Sequence, residues 1–252
     1  MTTTRRDCDE LPASADIVPG ALRSEVWLTL QTRHAQQVFS GRRPSAEKHY
    51  IIGLTRFGAI LSQIQICVYA DDPYADWWLV KVEEALQQAS HEVTVLRQAM
   101  EQRLQNTPGI EVKIAESLNP VRVPLQFRNP FAYAAARILA DFDLLVRGVL
   151  TARHIGLMDR REAERCIVLG GRALRRAMGA ALGYKYEGVK RHDVYEGNAK
   201  AQQAEARMGV LPPDVLDGTR RARHAPERRK PTATKFGGFR GWRDWKASEP
   251  SP

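Results

Sequence analysis

Cysteine is scarce in this chain of 252 residues: Cys8, Cys67 and Cys166 stand far apart, with no CxxC and no histidine at metal-ligand spacing. A disulfide framework and a zinc site are therefore not expected, and the usage fits a reducing cytoplasm. No run approaches the ~18 apolar residues of a membrane span, and the opening MTTTRRDCDELPASAD lacks the apolar stretch of an export signal. The expectation is a cytoplasmic protein with no membrane partner. GxxxxGK, GxSxG, HExxH and GxGxxG are all missing, so phosphate-loop, hydrolase, zincin and dinucleotide-fold readings lack support. Asp141 and Asp143 stand two apart on an expected helix, where side chains diverge, and His154 downstream does not turn them into a carboxylate pair. The sequence predicts no catalytic residue, no metal and no cofactor; it does not read as an enzyme.

What the chain has is positive charge and enough apolar residues for a core. Hydrophobic residues make up 43%, and 38 Lys plus Arg against 29 Asp plus Glu leave a formal charge of +9. Such a balance favours an acidic partner, most often nucleic acid. The excess is uneven, with ten Lys/Arg against four Asp/Glu from Asp217 onward. The expected organisation is a disordered arm over 1–20, a helical domain over 21–210 and a basic, Gly/Pro-rich disordered tail over 211–252.

Within the domain, Leu22, Val26, Leu30 and Val38 suggest a helix from Ala21 to Phe39. A second is predicted from about Ser45, as a candidate N-cap, to Tyr69, with Leu54, Phe57, Leu61 and Ile64 on its buried side and strand character as an alternative over Ile64 to Tyr69. After DDPYADWW, read as a turn, Leu79, Val82, Leu86, Ala89, Val93, Leu96 and Met100 form a heptad stripe. Phe131, Ala135, Ile138, Phe142, Leu145, Val149 and Ala152 repeat it, so an intrachain helical hairpin is preferred to an intermolecular coiled coil. EVKIA (Glu111 to Ala115) and VRVPLQF (Val121 to Phe127) read as strands. Asn129-Pro130 suits a helix start. That helix runs to about His154, and another from Asp159 to about Met178, with Gly170-Gly171 marking a close crossing or a break. A short helix is expected over Gly197 to Met208.

The stretch 119–183, a strand and two Arg-bearing helices, carries the functional reading. Val121, Val123, Leu125 and Phe127 alternate with Arg122, Pro124, Gln126 and Arg128, giving one apolar and one polar face. Pro124 has no N–H, so the apolar positions must make the ladder while Arg122 and Gln126 turn their backbone groups to an unpaired side. A two-stranded ribbon meets these conditions, and such a ribbon fits the DNA major groove, where Arg reads guanine and Gln reads adenine. An amphipathic edge strand covering the helices is the plainer reading. On the second helix Arg160, Arg161, Arg165, Arg172, Arg175 and Arg176 form a candidate phosphate-contacting face, or an ordinary solvated one. In the tail, Arg228, Arg229, Lys230, Lys235, Arg240 and Arg243 interleave with Phe236, Phe239, Trp242 and Trp245, a composition suited to phosphates and base stacking, or to docking a partner.

LRSEVWLTLQTRHAQQVFSGRRPSAEK, IIGLTRFGAIL, DDPYADWWL, VRVPLQFRNPFAY and DFDLLVRGVLTARHIGL together resemble a family encoded on bacterial integrating conjugative elements, related to AcaB-like transcriptional regulators. The resemblance spans about Leu22 to Met208. It implies a mainly α, ribbon-helix-helix-like DNA-binding protein that regulates transfer genes, its ribbon positions being Arg122, Gln126 and Arg128. Joined to the residue reading, it gives the expectation of a homodimeric regulator that binds double-stranded DNA through a ribbon built from two copies of VRVPLQF, alongside other conjugative-element proteins. The alternative is a non-catalytic helical scaffold that touches nucleic acid only through its tail.

Overall fold

Residues 26–30, VWLTL, put Val26, Leu28 and Leu30 on one side and Trp27 and Thr29 on the other, the alternation of a half-buried strand. In the computed structural model, which describes residues 24–45, 49–106, 109 and 111–228, they form strand β1 (Val26–Leu30). The helix expected over Ala21 to Phe39 is thus replaced by a strand and a shorter helix, α1 (Arg33–Ser40). Val26 and Leu30 lie four apart, a spacing that suits a helical face and a strand face alike. The break comes at Thr32, which is extended and whose Oγ1 accepts from Ala35 N at 3.2 Å as the N-cap of α1.

The next helix, α2 (Leu54–Tyr69), begins at Gly53, not at Ser45. In the link from α1, Arg42 and Ile51 exchange backbone hydrogen bonds of 2.8 and 2.9 Å, which closes the loop. α3 (Pro73–Gln105) takes up most of DDPYADWW, so that only the two aspartates form the turn. Asp72 accepts from the N–H groups of Tyr74 and Ala75, and Pro73 opens the first turn, where its missing N–H costs nothing. At 33 residues this helix is about 50 Å long. Its Leu79, Val82, Leu86, Ala89, Val93 and Met100 are buried within this one chain, in a helix that packs most extensively against α4 and α5.

Glu111 to Ala115 is not a strand. The segment runs irregularly along the outside of α4, its Ala115 N–H donating to Thr151 Oγ1 at 3.0 Å and its carbonyl accepting from Arg147 Nε at 2.8 Å. Strand β2 (Val121–Leu125) follows, then α4 (Pro130–His154), capped by Asn129, and α5 (Arg160–Gly179), capped by Asp159. Gly170 marks a close crossing and not a break: a Cβ there would lie 2.9 Å from the ring of Phe142. A 3-10 turn at Ala180–Gly183 leads to α6 (Arg191–Glu196), α7 (Ala199–Met208) and α8 (Pro213–Asp217).

This last part is bolted to the start of α3 by charge. Arg191, itself buried, donates to Asp71 and Asp76 at 2.7 and 2.5 Å, and Arg221 donates to Asp76 from the other side at 3.0 Å. Val215 and Ala222 are buried, so packing continues beyond residue 211, where the sequence placed the tail. The arm expected over 1–20 lies outside the described residues, as does the part of the expected tail over 229–252.

Candidate nucleic-acid interface

β2 does find a partner, but neither a second copy of itself nor Glu111 to Ala115. It pairs antiparallel with β1 of the same chain, in the register Val26 with Leu125, Trp27 with Pro124, Leu28 with Val123, Thr29 with Arg122 and Leu30 with Val121. The expectation of a ribbon made from two copies of VRVPLQF is corrected by this pairing. Because Pro124 cannot donate, the pairs that exchange hydrogen bonds must be those of Val121, Val123 and Leu125, as its position demands.

Opposed residues share a face. Leu28, Leu30 and Leu125 are therefore turned inward together and buried, whereas Trp27, Thr29, Arg122 and Pro124 form an exposed outer face. On that face the Arg122 guanidinium lies 4.7 Å from the centre of the Trp27 ring, and the Trp27 Nε1–H donates to Glu25 at 3.4 Å. Stacking on an indole restrains the arginine while leaving its donors available. Gln126 is exposed one residue past the end of β2. Arg128 is off the ribbon altogether, exposed in the link to α4 where it lines a cleft with Phe127 and Arg137.

A buried carboxylate sets the ribbon's attachment. Asp143, in the middle of α4, accepts from Gln31 N at 2.7 Å, Thr32 N at 2.9 Å and Thr32 Oγ1 at 2.6 Å, so the turn from β1 into α1 hangs on one side chain. At the other end, the Asn129 cap accepts from Ala132 N while its Nδ2 donates to the Gly58 carbonyl of α2 at 2.9 Å and to Ser62 Oγ at 3.2 Å. Each strand is thus followed by two helices, β1 by α1 and α2 and β2 by α4 and α5.

A family model described as transcriptional regulator AcaB matches residues 18–229. The chain belongs to the AcaB family of transcriptional regulators. A crystal structure of selenomethionine-containing AcaB from uropathogenic E. coli is similar in fold, with a TM-score of 0.53 at 13% identity over 78% of this chain and 98% of that one. No curated protein matches the sequence. Among the described residues of this AcaB-family chain, no helix is long and apolar enough to cross a membrane, and no group of His, Cys, Asp and Glu could hold a metal ion.

The arginines of α5 differ in their surroundings in this AcaB-family fold. Arg160 is tied to Glu164 at 2.8 Å, and Arg176 holds Glu92 of α3 at 2.6 and 2.8 Å. Arg161 and Arg165 are exposed near the helix start, which follows the far end of α4, a helix of 25 residues and so about 37 Å long. Arg172 and Arg175 come back toward α1. Of the tail residues picked out for nucleic-acid contact only Arg228 is described, and it folds against Gly218; Arg229, Lys230, Lys235, Arg240, Trp242, Arg243 and Trp245 lie outside the described residues. The residues that the sequence reading missed are Trp27 and Thr29. Their signal was present in the strict alternation of VWLTL and in Thr32 placed as a helix cap.

Proposed function

We propose that this chain is a DNA-binding transcriptional regulator that reads the major groove with the outer face of its own two-stranded ribbon. It would serve a conjugative element, the setting that the resemblance implies. The observation that carries the reading is the pairing of β1 with β2, which gathers Trp27, Thr29 and Arg122 on one exposed face and roots each strand in a strand-helix-helix unit. A two-stranded ribbon is of the right width for the major groove. Arg122 is suited to guanine, Gln126 to adenine, and Thr29 to a base edge or a thymine methyl; basic side chains elsewhere would supply sequence-independent affinity. No chemistry is required of the site.

The test is binding to duplex DNA from the element's own promoters against mixed-sequence duplex, for the full chain and for Arg122→Ala combined with Gln126→Ala. Each bidentate base contact contributes about 1–3 kcal/mol of discrimination, so the double variant should lose preference by one to several powers of ten while still binding weakly. Truncation should be made after Arg228 and not at Asp217, because Arg220, Arg221 and Arg223 engage Glu84, Asp76 and Glu83 of α3. If preference survives in the double variant and all binding vanishes on truncation, the ribbon is not the reader, and a scaffold with a basic arm is the better description.

A further inference from the structure

Several arginines of the fold hold a carboxylate, among them Arg97, Arg147, Arg176, Arg191 and Arg207; three that hold none among the described residues gather where α1 meets α5. α1 packs on α5, and where α1 ends the chain turns through Gly41, at a φ of +69°, into Arg42. Arg42 is fixed there twice over, by its backbone bridge to Ile51 and by its guanidinium, which donates to the His49 carbonyl through Nε at 3.3 Å and Nη2 at 3.2 Å. Arg172 and Arg175 stand three apart on the adjoining stretch of α5, a spacing that keeps them on one side of the helix. Arg175 is half-buried and folded back over Gly171, where a Cβ would lie only 3.0 Å from Nη1 and 3.2 Å from Nη2. Neither Arg172 nor Arg175 pairs with a carboxylate among the described residues, unlike their neighbour Arg176 on Glu92. Burial, and then the charges of Arg172 and Arg42, hold the Arg175 guanidinium below its ordinary range. Three like charges brought together with no carboxylate partner among the described residues are unfavourable until an anion joins them.

We propose that Arg42, Arg172 and Arg175 form a phosphate clamp that grips the DNA backbone beside the stretch that the ribbon reads. The proposal rests on the ribbon reading and adds a second, sequence-independent contact to it. Guanidinium groups are the side chains best matched to phosphate, each able to offer two parallel N–H donors. The position also fits. The eight residues of α1, about 12 Å of helix, lie between β1 and Arg42, a reach equal to the rise of three or four base pairs at ~3.4 Å each along the duplex axis. The clamp is a different surface from the start of α5, where Arg160 is already paired with Glu164.

Two variants of the full chain test this: Arg172→Ala with Arg175→Ala, and Arg172→Lys with Arg175→Lys. Binding to a mixed-sequence duplex across a salt series should show the alanine variant losing about 1.8 from the slope of log K against log salt, at ~0.9 per phosphate contact. The lysine variant should keep the slope, and the sequence preference of both should match the wild type. An unchanged slope in a folded alanine variant overturns the clamp, as does a loss of sequence preference in place of slope. Thermal unfolding with and without inorganic pyrophosphate separates this from the ribbon's own fate. A wild type that binds no duplex overturns the ribbon reading and the DNA clamp together. In that case, pyrophosphate stabilisation seen in the wild type and missing in the alanine variant would assign the three arginines to a free phosphate ligand instead, and its absence would remove the site.

Discussion

Single carboxylates position whole elements in this protein, and their environments can be tested one at a time. Asp143 and Asp72 are both buried, and although the cap that Asp72 makes on Tyr74 and Ala75 is local, the groups that set these two apart from solvated aspartates come from far along the chain. Gln31 and Thr32 reach Asp143 across 112 and 111 residues, and Tyr184 reaches Asp72 across 112. Asp72 caps α3 with one oxygen and accepts the Tyr184 hydroxyl at 2.7 Å with the other. Burial nonetheless outweighs these bonds and pushes its pKa up from 3.8 to about 6. The folded state therefore holds a proton more tightly than the unfolded chain does. This group's contribution to stability is gained as pH falls through about 6, is complete below 3.8, and is lost as pH rises, by on the order of 3 kcal/mol in full. Asp72→Asn retains a capping oxygen without the titration. The stability of the wild type relative to this variant should accordingly rise as pH is lowered from 7 to 4, read from paired thermal melts; a difference that does not move with pH would show that Asp72 is not raised.

At the level of elements, what was legible in the sequence is what local chemistry decides. Asn129-Pro130 and Asp159 mark helix starts because a cap and its N–H groups lie within four residues, and the apolar periodicity of α4 points directly at its buried face. Strand β1 was legible only in part: VWLTL alternates as a strand does, but Val26 and Leu30 also fit a helical stripe, and the partner that decides between the two lies 99 residues further on at Leu125. Glu111 to Ala115 failed in the opposite sense: it alternates like a strand, but β2 pairs with β1, and Ala115 at the segment's end bonds to Thr151 and Arg147 of α4 instead. Two of the three glycines of α5 give a paired test of packing against propensity. Gly170→Ala must push a methyl into Phe142 and Leu145, at 2.9 and 3.1 Å, and should destabilise the fold by about 1–3 kcal/mol. Gly179→Ala, on the same helix with helical backbone angles and open space around it, should be neutral or stabilise by up to about 1 kcal/mol. Urea unfolding of both variants checks the contrast, and equal effects would mean that α5 does not cross α4 this closely.

For the molecule as a whole, the consequence of an internal ribbon is that one chain holds both strands of it. The two halves do not read as a repeat because they differ in everything but order: α1 has 8 residues where α4 has 25, and the strands read VWLTL and VRVPL. A ribbon made of two identical strands about a two-fold axis presents the same residues twice and matches a palindromic site. Here the outer face carries Trp27 and Thr29 from one strand and Arg122 and Pro124 from the other, so the ribbon has no two-fold axis of its own. If the ribbon is the reader, the preferred DNA should lack an inverted repeat across the contacted base pairs, and one chain should suffice for each site. Selection of bound duplexes from a random pool, followed by sedimentation of the complex, measures both properties. A palindromic consensus bound by two chains would place the reading surface at an interface between copies rather than on the β1–β2 ribbon.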